Sequence, residues 1–195
     1  MNISEQVFKD LPREAQVYIS KLEYDLWHDR LTGVTAKQPF VEICEHELAH
    51  LRRARTKGFA LMFIDINNFK SINDTLGHKV GDEILVEISV IIRQAVRTVD
   101  VVGRYGGDEF MVFLQDAVVS EEVLPIIERI NKSFEKNMIT GRNLPPLGLS
   151  LGIAFADTET ISIEELMKKA DALMYEAKKE KTEKTICYKI SGQNE

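Results

Sequence analysis

Apolar residues recur in residues 10–28 at Leu11, Ala15, Tyr18 and Leu22, spacings of four, three and four that predict a helix, with Asp10 as its N-cap and Pro12 in the first turn. A second helix is expected over 38–57, with Phe40, Ile43, Cys44, Glu47, Leu48 and Leu51 on its inward side and Gly58 as its stop. The period then changes. Residues 59–65, FALMFID, put six apolar side chains in succession ahead of a carboxylate, as suits a strand buried on both faces. Helical spacing returns over 71–96 through Ile84, Leu85, Ile88, Ile91, Ile92 and Ala95, with Gly77 and Gly81 interrupting its first part.

Two short β-type runs follow, VVGRY and EFMVFL, and the Gly106-Gly107 junction between them reads as a hairpin. Further elements are expected as a helix over 121–136, a strand over 148–155, a helix over 163–179 and a strand over 184–190. This order predicts an α+β fold: a central, mixed and mainly antiparallel sheet flanked by helices.

Composition narrows the possibilities. The 195 residues include 25 basic and 31 acidic side chains, for a net charge of −6, with 44% hydrophobic and 29% charged, so the length and balance suit one globular domain. The mild acidity argues against duplex DNA, whose binding needs clustered Lys and Arg. The two basic runs, 52–57 and 178–184, read as solvated helix ends, the second being equally suited to an anion. Every apolar run is interrupted well short of the ~20 residues of a membrane span, and MNISEQVFKD lacks the basic and apolar regions of a secretory signal. Cys44 and Cys187 form no CxxC pair, which suits a reducing, cytoplasmic setting.

The chemistry concentrates in RYGGDEF, residues 104–110. Gly106 and Gly107 allow a turn with positive φ and let backbone amides approach a phosphate; Asp108 and Glu109 follow, pointing to opposite sides of a strand. Asp65 closes the buried run upstream. If those strands are neighbours, Asp65 converges with Asp108 or Glu109 into a set of hard oxygen donors suited to Mg²⁺ and phosphates. Spacing alone fits better a hairpin whose acids face water.

RYGGDEF, together with FIDINNFKSINDTLGHKVGDEIL before it, SLGIA at 150–154, ADALMYEAK at 170–178 and DRLTG at 29–33, resembles the GGDEF family of diguanylate cyclases over almost everything after residue 28. The resemblance implies a palm-like fold akin to nucleotide cyclase domains, and condensation of two GTP into cyclic di-GMP with release of two pyrophosphates. By position it implies Asp65, the Ile66 carbonyl and Asp108 as ligands of Mg²⁺, or alternatively Mn²⁺, and Asp65, Asp108 and Glu109 as the catalytic group. It also implies Asn73 and Asp82 at guanine, Gly106, Gly107 and Lys178 at the phosphates, and Arg97 with Asp100 as an RxxD site for inhibitory product. Residues 1–28 are then an N-terminal helical segment and 29–195 the catalytic domain, and joining two GTP symmetrically requires a homodimer, at least transiently.

Three positions depart from the family pattern. The second acid of D-x-D is Asn67, AKxxGRN reads AKKEKTE with Lys181 and Thr182 in place of Gly and Arg, and VTAKQ replaces the usual L-x-N-R. The altered tail gives weight to a second reading, a catalytically weak or inactive module that binds GTP or cyclic di-GMP and signals through a protein partner. Finally, His46-Glu-Leu-Ala-His50 is formally the HExxH of zinc proteases, but both histidines lie beside the apolar stripe and no third follows in metzincin spacing, so a solvated helix edge is expected.

Overall fold

The structure is a computed structural model and describes residues 5–54, 57–139, 147–157, 160, 162–180 and 185–192. Seven α-helices are described: α1 Glu5–Lys9, α2 Arg13–Trp27, α3 Lys37–Ala54, α4 Phe69–Leu76, α5 His78–Ala95, α6 Ser120–Phe134 and α7 Ile163–Lys179. The six strands are β1 Thr35–Ala36, β2 Phe59–Asn67, β3 Val101–Arg104, β4 Glu109–Gln115, β5 Gly148–Ala156 and β6 Ile186–Ile190. They form one sheet in the order β1-β3-β4-β2-β5-β6. β2 pairs antiparallel with both β4 and β5, β3 antiparallel with β4, and the two edges are parallel, β1 on β3 and β6 on β5. The expected mixed, mainly antiparallel α+β architecture is therefore present.

β2 is central because neither of its faces tolerates water. Ala60, Met62, Ile64 and Ile66 join an apolar cluster with α4, α5 and α6, while Phe59, Leu61 and Phe63 join a second with α3 and α7. Each large aliphatic side chain so buried contributes about 1.5–3 kcal/mol. α5 is fixed by the expected stripe, all six residues of which are buried. α7 buries Ile163, Leu166, Ala170, Met174 and Ala177, and Ser162 caps its start by accepting a hydrogen bond from the Glu165 amide at 3.1 Å.

Three elements differ from the sequence-based expectation. The helix expected over 10–28 is α2, Arg13–Trp27, preceded by the separate short α1, and Pro12, not Asp10, stands at its N-cap position. Among the described residues its apolar stripe is left largely open: α2 fully buries none of its residues, Ala15 and Ile19 are half-buried, and Val17, Tyr18, Leu22, Tyr24, Leu26 and Trp27 are exposed, Leu26 by 70%. The helix expected over 71–96 is two, because Gly77 at φ 86° leaves the helical region between α4 and α5. Gly81 interrupts nothing and stays buried inside α5. β1, only two residues long, lies beneath the length at which alternation is readable; it is held against β3 and bridged to His28. Among the described residues no helix is long and apolar enough to cross a membrane.

Candidate active site

The alternation along β2 delivers one carboxylate to the α3 and α7 face. Asp65 follows Phe63 on that face and is only 5% exposed. Its register partner on β4 is Glu109 and on β5 Ser150, so the two acids of the sequence reading are cross-strand neighbours. Asp108 sits one residue outside β4, where its carbonyl accepts from the Ile66 amide at 3.2 Å. From α7, the Lys178 ammonium donates to Asp65 Oδ1 at 2.7 Å. Asn67 at the departed acid position accepts from Ser150 Oγ at 2.9 Å, which ties β2 to β5 just beyond the site.

The carboxylates press on one another. Partial burial, then the negative charge of Asp65, raise the Asp108 carboxyl above its ordinary value. Glu109 is raised by partial burial and by the charges of Asp108, Asp65 and Asp171. Negative charge is thus under-compensated here, and together with hard oxygen donors this fits a small dication. Among the described residues no three His, Cys, Asp or Glu side chains gather closely enough to hold a metal by themselves.

The glycine turn is held from beneath by Arg104. Its Nε donates to the Gly106 carbonyl at 3.1 Å, one terminal nitrogen to the Gly107 carbonyl at 2.6 Å, and the other to Asp29 Oδ1 at 3.1 Å. The Thr32 amide and hydroxyl donate to the same Asp29 oxygen at 2.9 and 2.7 Å. Tyr105 lies edge-on to Phe63, ring centroids 5.1 Å apart, under the Lys37 ammonium at 3.7 Å. The expected positive φ is absent from both turn glycines. A Cβ at Gly106 would meet the end of the Glu109 side chain, whereas one at Gly107 would meet nothing within 4 Å.

Asn73 on α4 and Asp82 on α5 are brought together by helix packing. The Asn73 carboxamide lies against the backbone of Gly81, where a Cβ would collide with it, and Asp82 is the next residue, exposed. Arg97 and Asp100 occupy the loop after α5. The Asp100 carboxylate accepts from the Arg97 amide at 2.8 Å and the Gln115 amide at 3.0 Å, pinning the loop to the end of β4 opposite Glu109, about 20 Å away along the strand. Their side chains form no salt pair; with Arg93 and His28 they line a cavity of about 370 Å³. Lys181, Thr182 and Lys184 lie outside the described residues. His46 and His50 are exposed on α3, His46 Nδ1 lying 3.3 Å from Glu47, the solvated helix edge that was expected.

Sequence reasoning did not assign Asp29, Asp171 or Ser150 to this region. Only Arg104 carried a signal, as a guanidinium directly before a turn whose carbonyls need donors.

Fold and geometry define a class: an α+β domain whose central antiparallel strands present carboxylates beside a glycine turn. The family described as diguanylate cyclase, GGDEF domain, matches residues 26–184, and the chain belongs to it. It is 36% identical over 182 residues to the diguanylate cyclase DosC of Escherichia coli (strain K12), covering 93% of this chain and 39% of DosC. It is 37% identical over 152 residues to the cyclic di-GMP phosphodiesterase NbdA of Pseudomonas aeruginosa, covering 77% of this chain and 19% of NbdA. The chain thus spans about two fifths of one relative and one fifth of the other. The solved GGDEF domain of Pseudomonas aeruginosa TpbB, also called YfiN, superposes with a TM-score of 0.73 at 32% identity, over 84% of this chain and 94% of that one.

Proposed function

We propose that this chain condenses two molecules of GTP into cyclic di-GMP with release of two pyrophosphates. The observation that carries the reading is the convergence of buried Asp65 with Asp108 and Glu109 at the foot of an open glycine turn. Asp65, the Ile66 carbonyl and Asp108 are the oxygen donors for a divalent ion, Mg²⁺ or Mn²⁺, which when bound would neutralise phosphate charge and favour deprotonation of the ribose 3′-hydroxyl. Glu109 lies beside them.

The protein itself supplies position and recognition. Gly106 and Gly107 leave room for phosphates, and Lys178 adds a positive charge to that side of the site. Asp82 accepts from N1–H and the exocyclic amine of guanine; adenine has no N1–H, so the pairing favours GTP. Asn73 stands beside it. Arg104 fixes the turn so that the 3′-hydroxyl and the α-phosphate meet in line.

Each chain holds one GTP, so two sites face each other at least transiently, and the largely open apolar stripe of α2 is the surface that brings the chains together. Arg97 and Asp100, at the far end of β4, form the site where cyclic di-GMP inhibits. We read residues 1–28 as the helical segment and 29–195 as the catalytic domain, with no DNA partner and a cytoplasmic setting.

The test is incubation of pure protein with GTP and Mg²⁺ followed by product chromatography. Cyclic di-GMP is expected, and its loss in Asp108→Ala with the fold retained. Binding of GTP or cyclic di-GMP without turnover would instead establish the non-catalytic module, the reading that Lys181 and Thr182 favour.

A further inference from the structure

We propose that Lys178 serves two anions in turn, neutralising Asp65 while the nucleotide is absent and leaving it for a phosphate when the nucleotide arrives, so that Lys178 and the divalent ion compete for Asp65. The proposal rests on the reading of Asp65 as a metal ligand and adds to it a cause for ordered loading.

The geometry points there from both partners. Asp65 is almost wholly buried, and a buried carboxylate without a counter-charge is strongly unfavourable. The 2.7 Å contact from Lys178 is the only ion pair that Asp65, Asp108 or Glu109 makes among the described residues. Arg104, directly before the turn, is committed to Asp29 and to two turn carbonyls. One ammonium therefore serves three carboxylates and sits on the most buried of them.

Lys178 is also built to leave. Its neighbour Ala177 is fully buried and anchors the end of α7, whereas the Lys178 side chain is 43% exposed on a flexible four-carbon stem. Its ammonium can cross to a nearby anion without disturbing the helix. Desolvation of Asp65 requires some cation at all times, and the turn glycines give a phosphate access to the same place. Transfer of Lys178 from carboxylate to phosphate frees Asp65 at the moment that the nucleotide adds negative charge. The two binding events are then coupled, and by linkage each strengthens the other.

The consequence is a pair of effects of opposite sign. Lys178→Met is expected to bind Mn²⁺ about fivefold more tightly than wild type, or better, without nucleotide, read from loss of the aqueous Mn²⁺ signal by electron paramagnetic resonance. The same variant is expected to bind GTP more weakly in calorimetry. Lys178→Arg, which keeps a cation on Asp65, should show no gain in Mn²⁺ affinity; thermal melts of both variants verify folding.

Mn²⁺ affinity in Lys178→Met equal to or below that of wild type overturns the exchange, as does binding too weak to detect in both. Asp65→Asn separates this failure from failure of the metal reading. If Asp65→Asn abolishes Mn²⁺ binding while Lys178→Met gains nothing, only the exchange is wrong. If Asp65→Asn binds Mn²⁺ as well as wild type, Asp65 is not a ligand and both readings fall.

Discussion

The two faces of β2 are built from one stretch of nine residues, yet they are held by different forces. On the side of α5 and α6 the residues Ala60, Met62, Ile64 and Ile66 are apolar to the end of the strand, and packing alone closes that face. On the side of α3 and α7 the apolar run Phe59, Leu61, Phe63 stops at Asp65, and ion pairs and hydrogen bonds take over from contact. Dispersion is forgiving of small shifts, whereas Arg104 must meet three oxygens from one planar fork. Apolar packing closes both faces, but only the second ends in directional contacts that demand positional accuracy.

The largest expected effect separates the two outright. Ile64→Ala should lower stability by about 2–5 kcal/mol, seen in urea melts, while the rate per folded molecule stays near wild type. Asp65→Asn, its neighbour on the opposite face, should leave a folded protein with cyclic di-GMP synthesis reduced at least ~10³-fold. Loss of activity from Ile64→Ala beyond its folded fraction would show that the faces are not separable.

Arg104→Lys comes next. A lysine cannot bridge the Gly106 and Gly107 carbonyls and Asp29 together, so kcat/KM should fall about 10- to 100-fold with a melting temperature only a few degrees lower. An unchanged rate would mean that the turn holds its shape without the fork. Gly81→Ala should act more mildly, raising KM for GTP by about tenfold while kcat changes little, because the new Cβ displaces the Asn73 carboxamide from its seat. Equal KM in steady-state assays would remove Asn73 from guanine recognition.

The smallest effect is on pH dependence. Partial burial disfavours the Asp29 carboxylate, but hydrogen bonds from Thr32 and Arg104 outweigh it and hold the group below its ordinary value of 3.8. A depressed acid stabilises the fold at pH above that ordinary value, and the contribution is lost as pH falls through the lowered one. The difference in melting temperature between wild type and Asp29→Asn should therefore be present at pH 7 and begin to narrow below about pH 4. A difference that does not vary with pH would detach Asp29 from the turn.

What could be read beforehand follows the same division. β2 was evident because six apolar residues in succession have no other home, and the meeting of Asp65 with Glu109 followed from making β2 and β4 neighbours. Periodicity predicted a helix at α2 but contains nothing about what covers its stripe, and the structure leaves it largely open. The split at Gly77 was half anticipated, the glycine being read as an interruption of one helix and not as the boundary between two. The clasp of Asp29 on Arg104 was beyond reach, because a contact between distant segments leaves no trace in local spacing. Lys178 stood out only through its family resemblance, being otherwise one lysine among many on α7.

The sequence distances within the site have a kinetic meaning. Lys178 and Asp65 are 113 positions apart, and Asp29 and Arg104 are 75 apart. Closing such loops costs chain entropy before any ion pair can repay it, so neither contact forms until the β2, β4 and β5 ladders have drawn the segments together. The apolar face is therefore expected to fold before the charged end assembles. Substitutions at Asp65, Lys178 or Arg104 are then expected to change the unfolding limb of a chevron plot and leave the folding limb nearly unchanged. Chemistry at this end of the sheet is thus free to vary without endangering the route by which the chain reaches its fold.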